Sequence, residues 1–324
     1  MKDYLLINFG GPRNLEEIPS FLTELLTDQD VIRTKLPSWI QTWMFRLIAR
    51  KRSVKIKDDY QEIGGKSPIY FDTENIAKIL SEKLQKPVFT FHRYLPATHF
   101  ESLQQIENSL APEILVLPLF PQFCYATTGS IARFLSKNLS RRTLKKLRWI
   151  KSYPAHPSFI AAHTQRIDSF LKKERLKEED TILLFSAHGV PQSFIETGDI
   201  YQSECELSFR AISQHFPKAL SRLSYQSKFG PGEWLRPYTN ETCEKILDWN
   251  ENRKKIVIVP LTFTSDHIET LFEIEQLYLP PIRSFGLNAF RCPALNLEPY
   301  WIDALIDILK ETNLCNNQML IRKS

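Results

Sequence analysis

Apolar residues along this chain come in short, nearly unbroken runs rather than in strict alternation. YLLINF at 4–9, PVFTFHRY at 87–94, EILVLPLF at 113–120, RWIKSYP at 148–154, TILLFSAH at 181–188, LSYQSKF at 223–229 and KIVIVPLTF at 255–263 are all of strand length. Such runs predict strands buried on both faces, the environment of a parallel sheet. Between them the apolar spacing becomes helical. Residues 73–86 carry Ile76, Ala77, Ile79, Leu80 and Leu84, and 157–173, 201–215, 240–249 and 300–310 read in the same way. Strand–helix alternation throughout predicts an α/β doubly wound fold on parallel sheets. Each half holds its own strand–helix units, which predicts domains at 1–150 and 151–296, with a C-terminal helix within 297–315 packing back on the first.

One segment admits two readings. Residues 36–48 set Leu36, Trp39, Ile40, Trp43, Met44, Leu47 and Ile48 at helical spacing, followed by the basic stretch Arg50-Lys51-Arg52-Ser53-Val54-Lys55. The helix either faces a core or forms an aromatic lip over an apolar pocket, its basic end meeting acidic groups. The same features suit peripheral contact with a membrane surface.

Composition narrows the class. A chain of 324 residues with 43% hydrophobic and 24% charged positions buries a full core without staples and is not disordered, collagenous or a coiled coil. A net charge of +5 favours an anionic ligand or membrane surface and falls well short of a nucleic-acid binder, so no nucleic-acid partner is expected. The five cysteines are scattered, without a C-x-x-C pair, which predicts reduced thiols in a cytoplasmic-type compartment. No run of about 18 apolar residues exists to span a bilayer. The apolar start in MKDYLLINFGGP is too short for a signal peptide. A cytoplasmic protein, at most peripheral to a membrane, is expected.

In open α/β sheets ligands gather beyond the carboxyl ends of strands. His188 ends the run 181–188 and is followed by Gly189. It is either a hydrogen-bonded loop histidine or an imidazole free to take a proton or a metal. After 255–263 come Asp266, His267, Glu269 and Glu273. On a helix starting near Asp266, the three acids fall at i, i+3 and i+7 and form one stripe. A capping box accounts for Asp266 and Glu269; His267 and Glu273 are left over, as for a cation site or a proton relay. Gly10-Gly11-Pro12 and Gly64-Gly65-Lys66-Ser67 match neither a dinucleotide fingerprint nor a Walker A loop.

Several motifs in one order then resemble the ferrochelatases, which insert Fe²⁺ into a porphyrin. They are LLINFGGP with FLTELLTDQDVI, YQEIGGKSPI, RYLPAT, LPLFPQFCYATTGS, LLFSAHGVPQSFIETGDIY, YQSKFGPGEWLRPYT and VPLTFTSDHIETLFEIEQLY, together covering nearly the whole chain. The resemblance implies two Rossmann-like halves with a porphyrin in the cleft between them. It makes His188 and Glu269 the catalytic, metal-handling pair and Asp266, His267 and Glu273 a proton or metal relay. Phe9, Arg52, Lys55, Tyr60, Ser67, Arg93, Tyr94 and Trp234 become porphyrin-binding residues. It also implies Fe²⁺ as the substrate metal. Leu277 stands where the family's acidic stripe can extend, which shortens the relay. Cys315 stands alone where cluster-bearing members group cysteines, and Tyr125 replaces an earlier one, so no [2Fe–2S] cluster is expected.

The expected reaction is insertion of Fe²⁺ into protoporphyrin IX with release of two protons, the terminal step of haem synthesis. Phe9, where many coproporphyrin-type members have Tyr, and the apolar Trp39 and Trp43 favour that porphyrin. The alternatives are a coproporphyrin III ferrochelatase, another tetrapyrrole chelatase, or a two-lobed protein that carries haem or iron without chemistry.

Overall fold

The computed structural model describes residues 2–34 and 36–322. The chain divides into two compact units, Met1–Ser152 with Ile306–Ser324, and Tyr153–Leu305.

In the first unit, β1 (Lys2–Asn8), β2 (Val88–His92), β3 (Glu113–Pro118) and β4 (Leu147–Trp149) form a parallel sheet in the order β2-β1-β3-β4. Successive side chains of β1 point to opposite faces, yet Leu5, Leu6 and Ile7 are all fully buried. Leu5 and Ile7 join Phe91, Ile114 and Val116 under Ile106, Ile131 and Leu135, which lie on the helices Pro96–Glu107 and Ser130–Asn138. Helix Pro68–Leu84 packs on β1 and β2 as well. The C-terminal segment is tied in by Cys315, which exchanges backbone hydrogen bonds with Trp149 of β4.

The second unit repeats the pattern. Strands β5 (Thr181–His188), β6 (Leu220–Gln226), β7 (Lys255–Pro260) and β8 (Asn288–Arg291) are parallel, in the order β6-β5-β7-β8. Ile182, Leu184, Ile256 and Ile258 pack against Ile274, Leu279 and Ile282. Phe185, facing the other way, meets Phe209 of helix Tyr201–Ser213 with ring centroids 5.3 Å apart. Burial on both faces is what the continuous apolar runs require. Strand β8 escapes the sequence reading because NAFR is four residues long with Asn288 exposed at its start.

In each sheet the order reverses beside the first strand, between β1 and β3 and between β5 and β7. Such switch points open a crevice beyond the strand ends. At the first of them the chain turns through Gly10 and Gly11. Gly10 has φ +84°, and a Cβ on Gly11 would lie 2.5 Å from Ser67 Oγ. The glycine pair therefore serves close packing of Ser67 and His92 on the end of β1.

The ambiguous segment is one helix, Ser38–Glu62. It buries Gln41, Ala49, Ser53 and Tyr60 and packs on helix Ile18–Thr27. Trp39 is 73% exposed and Trp43 64%, so the core-facing reading fails for both tryptophans. Trp39, Trp43, Leu47 and Val54 share the outward side with the exposed Arg46, Arg50 and Lys51. Among the described residues no helix is long and apolar enough to cross a membrane.

Candidate functional site

The second unit's switch point brings His188, Glu269, His267 and Glu273 together. His188 is the last residue of β5, and its backbone is held on both sides. Its N–H donates to Thr262 Oγ1 at 3.1 Å, and its carbonyl accepts from the Tyr201 hydroxyl at 2.9 Å. The imidazole Nδ1 lies 2.5 Å from the Gly189 carbonyl. A carbonyl only accepts, so Nδ1 carries a proton towards it and Nε2 is the nitrogen left to face the site. That atom faces Glu269 Oε2 at 3.5 Å. A ring nitrogen and a carboxylate oxygen aimed at each other form a seat for a proton or a cation. Gly189 is required beside them, because a Cβ there would lie 2.8 Å from the Gln226 carbonyl. Trp234, 8% exposed, packs over the same glycine, and its indole N–H has no partner among the described residues.

Glu269 opens a π-helical segment, Glu269–Tyr278, in which backbone hydrogen bonds span five residues. Burial alone would raise the Glu269 pKa, but His188, His267 and the Ser227 hydroxyl outweigh it and hold the carboxylate below its ordinary range. His267 lies with Nε2 3.8 Å from Glu269 Oε2. Burial opposes its charge, yet Glu269 raises its pKa. Glu273 goes the other way: burial, then repulsion from Glu269, push it up to about 7. Two neighbouring carboxylates therefore differ, one held ionised and the other holding a proton near neutrality.

Residues outside the sequence expectations join this pair. Ser227 Oγ donates to Glu273 Oε2 at 2.5 Å and lies 3.4 Å from Glu269 Oε2. The Tyr278 hydroxyl donates to Glu273 Oε2 at 3.1 Å and accepts from Ser227 N–H. Gln226 Nε2 donates to the Glu269 carbonyl at 2.9 Å. Tyr278 follows Glu273 by five positions. On an α-helix, where neighbours stand three and four apart, it would face away; the wider π turn brings it round. Only the YQS stretch, already quoted, carried any signal for Ser227 and Gln226.

Asp266 stands apart from the cluster. Its carboxylate accepts from Arg291, Asn296 and Thr270 at 2.9, 2.8 and 2.8 Å. It lies before the helix rather than on its stripe, so the acidic face consists of Glu269 and Glu273, with Leu277 half exposed beyond them.

The first unit sorts its residues by burial. Phe9 follows β1, half-buried, with its ring 4.5 Å from Tyr94 and 6.0 Å from Phe21. Arg93 and Tyr94 are buried. Arg93 Nη2 and the Tyr94 hydroxyl reach Asp28 Oδ2 at 2.9 and 3.0 Å, and Arg93 Nε donates to Ser130 at 3.0 Å. These polar atoms are spent on Asp28 and Ser130 and brace the chain around the end of β2. Tyr60 and Ser67 are also buried. Lys55 is exposed and Arg52 half-buried on helix Ser38–Glu62.

A ferrochelatase family model matches residues 4–313. The chain belongs to the ferrochelatase family. Proteins named ferrochelatase from Chlamydia caviae and Chlamydia pneumoniae are 45% and 43% identical to it, over 98% of this chain and 98% and 96% of theirs. That of Chlamydia trachomatis serovar A is 42% identical over 96% of each chain. Among solved structures, Bacillus subtilis SirB with Fe³⁺ superposes with a TM-score of 0.53 at 13% identity, covering 96% of this chain and 94% of its own. CbiX, the terminal enzyme for siroheme biosynthesis in denitrifying bacteria, gives 0.51 at 12%, covering 95% and 98%. Both share the chelatase fold of two four-stranded parallel sheets seen in this member of the ferrochelatase family.

Proposed function

We propose that this protein inserts Fe²⁺ into protoporphyrin IX, with His188 and Glu269 as the insertion pair. The observation that carries the proposal is the 3.5 Å approach of His188 Nε2 to a half-buried carboxylate held in its ionised form. Insertion removes two pyrrole N–H protons and strips water from the metal. His188 Nε2 takes the pyrrole protons one at a time, with Nδ1 engaged by the Gly189 carbonyl. Glu269 supplies fixed negative charge for the cation as its hydration shell is lost. Glu273, in its ionised form, receives each proton in turn and releases it to water before the next, and Ser227 and Tyr278 hold its oxygen in place. The arriving ring's own nitrogens complete the coordination of the substrate metal. No iron–sulfur cluster belongs to this proposal. Trp234 offers the macrocycle an apolar wall. In the first unit Phe9 offers an apolar contact, and Arg52 and Lys55 offer charge to propionates.

Protoporphyrin is preferred because Phe9 presents no hydroxyl to a further carboxylate. The outward row of Trp39, Trp43, Leu47 and Val54 with Arg46, Arg50 and Lys51 also supports peripheral contact with an anionic membrane surface.

The test is anaerobic mixing of protein, Fe²⁺ and porphyrin, followed by absorption. Many turnovers with a higher kcat/KM for protoporphyrin than for coproporphyrin III support the proposal. The reverse preference overturns the choice of porphyrin, and a stoichiometric change that stops overturns catalysis.

A further inference from the structure

Arg291, at the end of β8, touches neither His188 nor Glu269, yet it holds the Glu269 helix and the loop that leads into it. Its Nη1 donates to Asp266 Oδ1 at 2.9 Å and its Nε to Glu275 Oε1 at 3.2 Å. The guanidinium and Asp266 are nearly buried, with side chains 14% and 10% exposed. Asp266 is fixed in turn: its N–H donates to Asn296 Oδ1 at 2.7 Å, and its carboxylate takes Thr270, in the first turn of the π segment.

Asp266 lies in the loop before the helix, and Glu275 lies within the π segment beyond Glu269. One planar fork therefore bridges the two sides of Glu269 and fixes where the segment begins relative to its body. The segment it steadies is the one whose π winding puts Tyr278 on Glu273.

We infer that Arg291 is a positioning residue that ties the Asp266 loop to the body of the π segment Glu269–Tyr278 and so holds Glu269 opposite His188. This rests on the proposed roles of His188 and Glu269. Lysine cannot replace the fork, because an ammonium is a point charge that meets one carboxylate at a time. Arg291→Lys thus keeps a cation beside buried Asp266 but releases Glu275.

The experiment compares Arg291→Lys with wild type in anaerobic iron insertion, porphyrin binding by fluorescence quenching, and thermal melting. The expected result is a melting temperature close to wild type, porphyrin affinity within about twofold, and kcat lower by about 10-fold or more, the scale seen when partners that orient a ligand are lost. A kcat within about twofold of wild type overturns the inference. So does a loss of porphyrin affinity equal to the loss of kcat, which marks general loosening. Should Arg291→Lys melt far below wild type, Glu275→Ala decides. Glu275 is 35% exposed and its removal leaves the Asp266 pair intact, so a several-fold fall in kcat alone supports the clamp and an unchanged kcat refutes it. Glu269→Gln in parallel separates the two levels. Full activity there refutes the insertion site itself; full activity in Arg291→Lys beside an inactive Glu269→Gln refutes the clamp alone.

Discussion

Glu273→Gln removes the one carboxyl of the pair that holds its proton near neutrality. In the unfolded chain a glutamate loses its proton near 4.5, whereas here it does so at about 7. Between those values the folded state binds the extra proton, so stability is full below about 4.5 and falls as pH rises to about 7. Each tenfold change in proton affinity is worth about 1.4 kcal/mol, so the full effect is on the order of 3 kcal/mol. Glu273 is half-buried, and water reaching it reduces the figure to about 2 kcal/mol. Glutamine keeps the shape and has no proton to lose. The assay is chemical denaturation of both proteins at about pH 5 and pH 8, read from probes in the second unit. The difference between the two proteins reads the ionisation of Glu273 together with its coupling to Glu269, which is itself part of what raises the Glu273 pKa. The wild type should lose about 2 kcal/mol relative to Glu273→Gln on going from the lower pH to the higher. A difference between the two proteins that does not change with pH refutes the raised pKa and the proton-holding role built on it.

Three further outcomes are expected. Gly11→Ala forces a Cβ to within 2.5 Å of Ser67 Oγ and 2.7 Å of Ile69 Cγ2, and overpacking of this kind costs about 1–3 kcal/mol, measurable as a lower melting temperature. Arg93→Met leaves Asp28 buried with its cation gone. Breaking such a pair costs about 3–5 kcal/mol, whereas a surface role for Arg93 would leave denaturation unchanged. Replacing Trp39 and Trp43 by serine should weaken sedimentation with anionic vesicles and leave melting unaltered, since both rings already face water; undiminished vesicle binding would remove this helix as the contact.

The sheets were legible because both-face burial leaves continuous apolar runs, as at Leu5–Leu6–Ile7 and Leu183–Leu184–Phe185. β8 was not, because four edge residues carry too little pattern. Helix Ser38–Glu62 misled where apolar spacing was equated with a buried side: periodicity says that Trp39 and Trp43 share a face, and not which way that face points. His188 and Glu269 were legible from their places after β5 and β7. Asp266 was read into the acidic stripe because spacing takes no account of Arg291 and Asn296, which reach it from the far end of the unit's sequence. Tyr278 was missed because it depends on a π winding, and a search at α-helical spacing looks three and four positions along, not five. Arg291 was missed because it reaches the segment from β8, whose four residues carried too little pattern to be read.

The central claim is that iron enters the porphyrin at His188 and Glu269. Single-turnover insertion of Fe²⁺ into prebound protoporphyrin, followed anaerobically by absorption in wild type, His188→Ala and Glu269→Gln, tests it most directly. Groups that move protons in the rate-limiting step contribute about 10²–10⁴-fold, so each variant should lose at least about 10² in rate while binding porphyrin as the wild type does. Retention by both of more than about a tenth of the wild-type rate, with porphyrin still bound, would contradict the assignment of insertion to this pair.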